Sequence, residues 1–323
     1  MELKSRPASE LTMDQLAALG SLAFSNYVAG PLKFAGDTMM RYVQTNHVDL
    51  ARSHIFYDAS SSSGGGDGDG DGENLAFALV ATREDRPRDA RLAAFGVVPA
   101  AQGKGVGRRA VDMVVEAERA RGTRVLELEV ITANVAGVKL YERTGFGVVR
   151  ELYAWERPAE DVYRAPPSPE GQKGGDGEEE ETLRECSVEE VSRLVRADGD
   201  AGELTFQAYL FADNPSSQLA FRRGRAYAVI SDPAAAADDD DGIISVMTLF
   251  VEPGHRGKGE AAGLIRAVLE RYAGEQQQQQ QQQRKKWLAK AWFDRSVGEG
   301  LARTAGFRKY HLSQYLMRRD LTL

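Results

Sequence analysis

Apolar residues recur along this 323-residue chain in two rhythms, helical spacing and strict alternation, and the whole sequence of rhythms is run through twice. Residues 12–28 place Leu16, Leu19, Leu22, Ala23 and Phe24 at helical spacing behind Thr12, a cap candidate. The turn at 27–32 breaks that helix, and a second is expected over 36–43. Residues 54–57 and 75–82 read as paired strands. Residues 92–98, small and β-branched without charge, predict a buried strand. A glycine-dense turn follows, then a helix with Val111, Val114 and Val115 on one face. Residues 125–131 alternate as a strand, 134–146 read as a short helix ending at Gly145, and 148–155 as a closing strand.

Beyond Arg157 the composition collapses to Pro, Gly and acid, so 158–181 is expected to be a linker. The rhythm then restarts. Residues 183–186 are strand-like, Ser187 and Glu190 form a capping box, and Val191, Leu194 and Val195 continue a helix. Strands are expected at 226–231 and 243–251, then a second glycine turn, then a helix striped by Ala262, Ile265, Leu269 and Tyr272, then a strand at 287–292. Two domains are expected, 1–157 and 182–323. The run at 59–74 reads as a disordered insertion, and those at 234–242 and 275–286 as low-complexity insertions. Asp67, Asp69 and Asp71 imitate a calcium loop, but Ala78 stands where its bidentate Glu belongs.

Strand, glycine turn and helix start together make an anion site, because the first N–H groups of a helix lack intrahelical partners. Gly103, Gly105 and Gly107 let that backbone approach a phosphate, Lys104 adds a point charge and Arg108 a fork of donors. No Gly-Lys-Ser/Thr closes the turn, and the glycines do not space as Gly-x-Gly-x-x-Gly. On the turn alone, a plain structural loop remains open.

The residues downstream narrow this. Gln102-x-x-Gly105-x-Gly107, Leu126-x-Leu128-x-Val130, Asn134, Leu140-Tyr141 and Gly145-Phe146 follow in order. In these residues the chain resembles the GNAT acetyltransferase superfamily, and Arg256-x-x-Gly259-x-Ala261 repeats the signature. The resemblance implies an α/β architecture of two tandem GNAT-type acyl-CoA N-acyltransferase folds, each a mixed, mostly antiparallel sheet flanked by helices. It implies acetyl-CoA as cosubstrate, no metal, and acetyl transfer to a primary amine by direct attack in a ternary complex. Val97 and Val98 would then lend backbone contacts to the pantetheine arm, in a gap between two strands. Gln102, Gly103, Lys104, Gly105, Val106, Gly107 and Arg108 would hold the pyrophosphate, with Asn134 completing the cofactor site. Tyr141 matches the tyrosine that protonates the coenzyme A sulfur. Glu129 is placed similarly to the base of the ribosomal-protein N-terminal acetyltransferases. Other members carry a Glu on the strand before the loop, where this chain has Arg91. The plain alternatives are a core tyrosine at 141 and a solvated or salt-bridged face for Glu127 and Glu129, which alternation puts on one side of the strand. In the resembled fold the first two helices cover the acceptor side, which makes Phe24 and Tyr27 candidate pocket residues.

The second half departs from the pattern. Leu301 or Ala302 falls at the tyrosine position, Asp294 near the place of Asn134, and Glu260 sits inside the phosphate loop. It is expected to be degenerate. A rival reading makes the protein a catalytically inactive acetyl-CoA-binding or sensing protein, with the C-terminal domain as an interaction module. The acceptor is a small-molecule or peptide amine. The formal charge of −7 argues against nucleic acid as the main partner. No apolar run suits a membrane span or a secretory signal, and Cys186 is the single cysteine, so a reducing, cytoplasmic setting is expected, with the nucleus open. The four histidines show no metal spacing.

Overall fold

A computed structural model describes residues 1–61, 72–158, 182–198, 218–233, 243–278, 286–293 and 295–322. Most of the expected insertion 59–74, the expected linker after residue 158, the insertion 234–242, the centre of the insertion 275–286 and Asp294 lie outside the described residues. The first half runs β1 (Leu3–Pro7), α1 (Met13–Ala23), α2 (Gly36–Thr45), β2 (His54–Asp58), β3 (Asn74–Thr82), β4 (Asp89–Val97), α3 (Val106–Ala120), β5 (Val125–Ile131), α4 (Val135–Arg143) and β6 (Gly147–Arg157). The second runs β7 (Arg184–Cys186), α5 (Val188–Ala197), β8 (Gln218–Arg223), β9 (Ala226–Ser231), β10 (Ile243–Val251), α6 (Glu260–Gln278), β11 (Lys286–Phe293), α7 (Arg295–Ala305) and β12 (Arg308–Asp320).

The chain forms two compact units, Met1–Glu151 with Gln314–Leu323, and Leu152–Ser313. In the first, the strands lie in the order β1-β2-β3-β4-β5-β12, antiparallel except for the parallel pair β4–β5. Helix α1 starts where Thr12 predicts. Its hydroxyl accepts from Gln15 N–H at 3.2 Å while Gln15 Oε1 accepts from Thr12 N–H at 2.9 Å, a reciprocal box that occupies two orphan donors. The helix buries Leu16, Ala17, Leu19 and Ala23. Helix α3 opens at Gly105 in the left-handed region, φ 79°, and buries Val106, Ala110, Val111, Val114 and Val115. Each fully buried valine of that stripe contributes roughly 1.5–3 kcal/mol.

The second unit repeats the scheme. Its strands lie β6-β11-β10-β9-β8-β7, and again a single pair, β10–β11, is parallel. Trp155, Ile244, Leu264, Ile265 and Trp287 pack in its main core, and Val188, Val191 and Val195 of α5 in a smaller one.

The division departs from the expected boundaries at 157 and 182 in how each unit is closed. Residues 314–320 of the last strand pair with β5, from Gln314 opposite Ile131 to Asp320 opposite Val125. The end of β6 pairs with β11, Trp287 opposite Arg157 and Ala289 opposite Trp155. Burial fixes the first choice: Leu316 and Met317 are 1% and 0% exposed, and Arg318 Nε donates to Glu127 Oε2 at 2.7 Å. No helix among the described residues is long and apolar enough to cross a membrane.

Candidate active site

Strands β4 and β5 are paired only over Asp89–Arg91 and Val125–Glu127. Beyond that point both continue, to Val97 and Ile131, without pairing to each other. An irregularity in β4 assists the parting. Leu79 faces Ala94 and Val80 faces Leu92, so Ala93 is an extra residue, a bulge that bends the strand. Its carbonyl accepts from Tyr42 of α2 at 2.8 Å.

The parted strands border a cavity of about 600 Å³. The glycine turn, the start of α3 and the helix α4 line it with Gln102, Gly103, Gly107, Asn134 and Tyr141. The end of α1, the α1–α2 connection, α2 and β3 line it with Phe24, Tyr27, Leu32, Phe34, Tyr42 and Phe77. Val97 and Glu129 line it from the two strands themselves.

Glu129 is the one carboxylate among the described residues at this cavity. Its Oε2 accepts from Arg91 Nε at 2.7 Å, and the two side chains are 3% and 4% exposed. Its Oε1 is buried without a hydrogen-bond partner, as is Arg91 Nη1. Burial raises the Glu129 carboxyl above its ordinary value; the Arg91 cation opposes that rise and Glu127 reinforces it. Glu127 shares the face, as alternation predicts, but is bound to Arg318. The salt-bridged alternative thus describes Glu127 fully and Glu129 by one oxygen.

Tyr141 is 8% exposed, with Phe95 and Phe146 edge-on at 6.5 and 5.8 Å. Burial pushes its phenol well above the ordinary value, and the neighbouring Tyr27 adds to this. Tyr27 is raised by burial and by Tyr42. Tyr42 is raised by burial too, although Arg91 opposes the shift.

In the turn, Gly103 and Gly105 have φ 73° and 79°, and a Cβ on either would meet nothing within 4 Å. The turn thus combines left-handed backbone with an open face. Gln102 fastens it: Nε2 donates to Val97 O at 3.0 Å, and Oε1 accepts from Asn26 Nδ2 at 3.2 Å. Asn134 caps α4, its Oδ1 accepting from Gly137 N–H at 3.0 Å. Lys104 and Arg108 are exposed, and Val106 is buried at the first position of α3; none of the three lines the cavity. Val98 does not line it either. Its N–H donates to Leu75 O at 2.9 Å and its carbonyl accepts from Ala101 N–H at 2.9 Å. Of the two valines, Val97 alone faces the gap. Arg91 was visible in the sequence as the residue at the place of a base; its bond to Glu129 follows from the register, which sets Arg91 opposite Glu127. Tyr42 gave no signal beyond its helical spacing.

The second unit holds the same turn. Gly257 and Gly259 have φ 76° and 83°, and Arg256 Nε donates to Val251 O at 3.0 Å, as Gln102 does to Val97. Glu260, the first residue of α6, is held by two turns, Oε2 accepting from Arg225 N–H of the β8–β9 turn at 3.0 Å and Oε1 meeting His255 Nδ1 of its own loop at 2.8 Å. Phe307 N–H donates to Leu301 O, six residues back, at 3.5 Å, whereas Phe146 N–H donates to Tyr141 O, five residues back, at 3.0 Å. No group of three or more metal-ligating side chains occurs among the described residues.

Residues 39–146 match the model of the acetyltransferase (GNAT) family. The mycothiol acetyltransferase of Propionibacterium freudenreichii subsp. shermanii is 30% identical over 149 residues, 46% of this chain. The chain spans 44%, less than half, of that relative's length. Among solved structures, the GCN5-related N-acetyltransferase from Sphaerobacter thermophilus superposes with a TM-score of 0.62 at 16% identity, over 99% of this chain and 96% of that one. A tandem GNAT protein from the clavulanic acid biosynthesis pathway gives 0.60 at 14% identity, over 99% of both chains. At these identities the structural likeness carries the fold alone.

Proposed function

We propose that the first unit of this chain, in which residues 39–146 match the acetyltransferase (GNAT) family model, transfers an acetyl group from acetyl-CoA to a primary amine. One observation carries the reading. The cavity at the parted strands is bordered by a left-handed glycine turn at a helix start, by Tyr141, and by an unpartnered buried oxygen of Glu129. These residues fit the cosubstrate. The N–H groups at the start of α3 and the open faces of Gly103 and Gly105 suit a pyrophosphate. Gln102 keeps the turn tied to the end of β4. Acetyl-CoA supplies a thioester-activated acyl group when bound.

The chain's own residues then divide the proton work. Glu129 Oε2 is held by Arg91, which leaves Oε1 to accept a proton from the amine. Tyr141 keeps its proton through neutral pH, because burial raises its phenol, and so holds one for the departing sulfur. The second unit is proposed to be a GNAT-like domain without turnover, since neither Leu301 nor Ala302 at the tyrosine position is a phenol and Glu260 adds a carboxylate beside the turn.

Titrating the intact protein with acetyl-CoA by calorimetry tests both parts. A single site per chain is expected, abolished by Gly105→Glu. Gly259→Glu is expected to leave affinity and turnover in place. A Gly105→Glu protein that still saturates with acetyl-CoA would remove the turn from the site.

A further inference from the structure

The cavity of the first unit has a one-sided chemistry. Among the described residues that line it, Glu129 is the only carboxylic acid, and none is Lys, Arg or His. The cation Arg91 is bonded to Glu129 and lies outside the lining. Lys104 and Arg108 of the turn stand outside it as well.

Asn26, Gln102 and Asn134 add neutral amides on the side of the glycine turn, and the wall formed by α1, α2 and β3 is apolar and aromatic. Phe24 is the centre of an edge-on cluster, with Tyr27 at 5.1 Å, Phe34 at 6.3 Å and Phe77 at 5.8 Å. Val28 and Leu32 line the cavity while remaining 46% and 37% exposed, so the apolar wall reaches solvent along the α1–α2 connection. Such a wall rewards burial of an apolar body. A carboxylate or phosphate on the same molecule would be stripped of water against aromatic rings, with no cation in the lining to meet it.

From this lining we infer that the acceptor is a primary amine on an aromatic or branched-alkyl body without an acid group, an arylalkylamine in chemical class. Its nitrogen donates to Glu129 Oε1, and its body packs against the Phe24 cluster. The inference rests on the acetyltransferase reading of this cavity. In the transfer, the nitrogen lone pair forms the C–N bond and the thioester C–S bond breaks with its electron pair on sulfur. One amine proton passes to Glu129 Oε1, and sulfur takes a proton from Tyr141. The products are the N-acetylated amine and the coenzyme A thiol, and the two side chains are reset by proton exchange with solvent.

The test uses the intact chain with acetyl-CoA and three amines: 2-phenylethylamine, phenylalanine (the same body with a carboxylate) and spermidine. Thiol release reads turnover, and calorimetry in the presence of coenzyme A reads amine binding separately. The expected result is a kcat/KM for 2-phenylethylamine roughly hundredfold above that for phenylalanine or spermidine, with binding in the same order. Leu32→Arg, which brings a cation to the wall, should narrow the gap to phenylalanine about tenfold. Equal or better use of phenylalanine or spermidine overturns the inference and leaves the acetyltransferase reading standing. Binding in the expected order without thiol release upholds the recognition and removes the catalytic reading. Failure of all three amines to bind overturns the inference.

Discussion

Arg91 and Glu129 form a buried ion pair, Nε to Oε2 at 2.7 Å, at the point where β4 and β5 part. The pair uses only half of each partner, since Glu129 Oε1 and Arg91 Nη1 have no hydrogen bond. A buried pair of this kind is poor evidence for net stability, because desolvation of both ions offsets much of their attraction. Its clearer effect is positional. It fixes the carboxylate's plane and directs one oxygen away from the cation.

Arg91→Met should therefore destabilise the protein by about 3–5 kcal/mol, because it leaves a carboxylate buried and unpaired. The double variant Arg91→Met, Glu129→Leu should recover most of that loss. Denaturant unfolding of the two single variants and the double one gives the cycle. Losses that simply add would show that the pair is not coupled.

The same pair predicts a pH dependence. Burial raises the Glu129 carboxyl, and Arg91 opposes the rise. A base must be deprotonated, so the acid limb of kcat/KM should lie above the ordinary carboxylate range. Arg91→Gln should move that limb to still higher pH. Glu129→Gln should abolish the limb and lower kcat by about 10²–10⁴-fold. The stability sign is the reverse of a surface carboxylate's. A folded pKa above the unfolded one contributes stability below the unfolded value, and that contribution is lost as pH rises through the folded one. The instability of Arg91→Gln should thus shrink on acidification, which unfolding curves at several pH values would read.

Tyr141→Phe should lower kcat by about 10²-fold and leave acetyl-CoA affinity within about twofold. Since burial raises the phenol, the wild-type rate should show no alkaline limb from Tyr141 in the neutral range. Presteady-state thiol release together with calorimetry separates the two effects. An unchanged rate would assign the proton to another donor.

A chain of residues 1–158 should not yield a stable first unit. It lacks the strand opposite β5, with Met317 buried, Arg318 on Glu127, Arg319 bonded to the Thr144 carbonyl, and Leu321 N–H on Arg124 O at 2.8 Å. The bare edge of β5 is a template for association. Light scattering and circular dichroism should show aggregation or loss of structure, partly restored by a linked copy of residues 308–323.

What the sequence revealed follows from how local each feature is. The strand, turn and helix from β4 to α3, the cap at Thr12 and the placement of Tyr141 depend on neighbours within a few turns, and periodicity with capping residues specifies them. Strand β4 proved longer than its uncharged stretch, starting at Asp89, because Arg91 is neutralised by a partner rather than by solvent. Strands β1, β8 and β12 went unread. Each is rich in polar or charged residues, as in Gln218–Arg223, and their pairing is set across the sheet. Val98 matched the family position, yet its backbone groups are taken by Leu75 and Ala101, a ladder detail that no single stretch discloses. The electrostatic environment of Glu129 likewise depends on a register between two strands.

The bond between Arg318 and Glu127 joins residues 191 positions apart in the chain. A growing polypeptide emerges from the ribosome at roughly 5–20 residues per second, so the last strand of the first unit arrives many seconds after its neighbour. During that interval β5 waits with an unsatisfied edge, and the intervening segment, the whole of the second unit, must be made first. The first unit thus begins to be made before the second and is finished only after it. Damage anywhere in the intervening segment thus reaches the first unit as a defect of maturation.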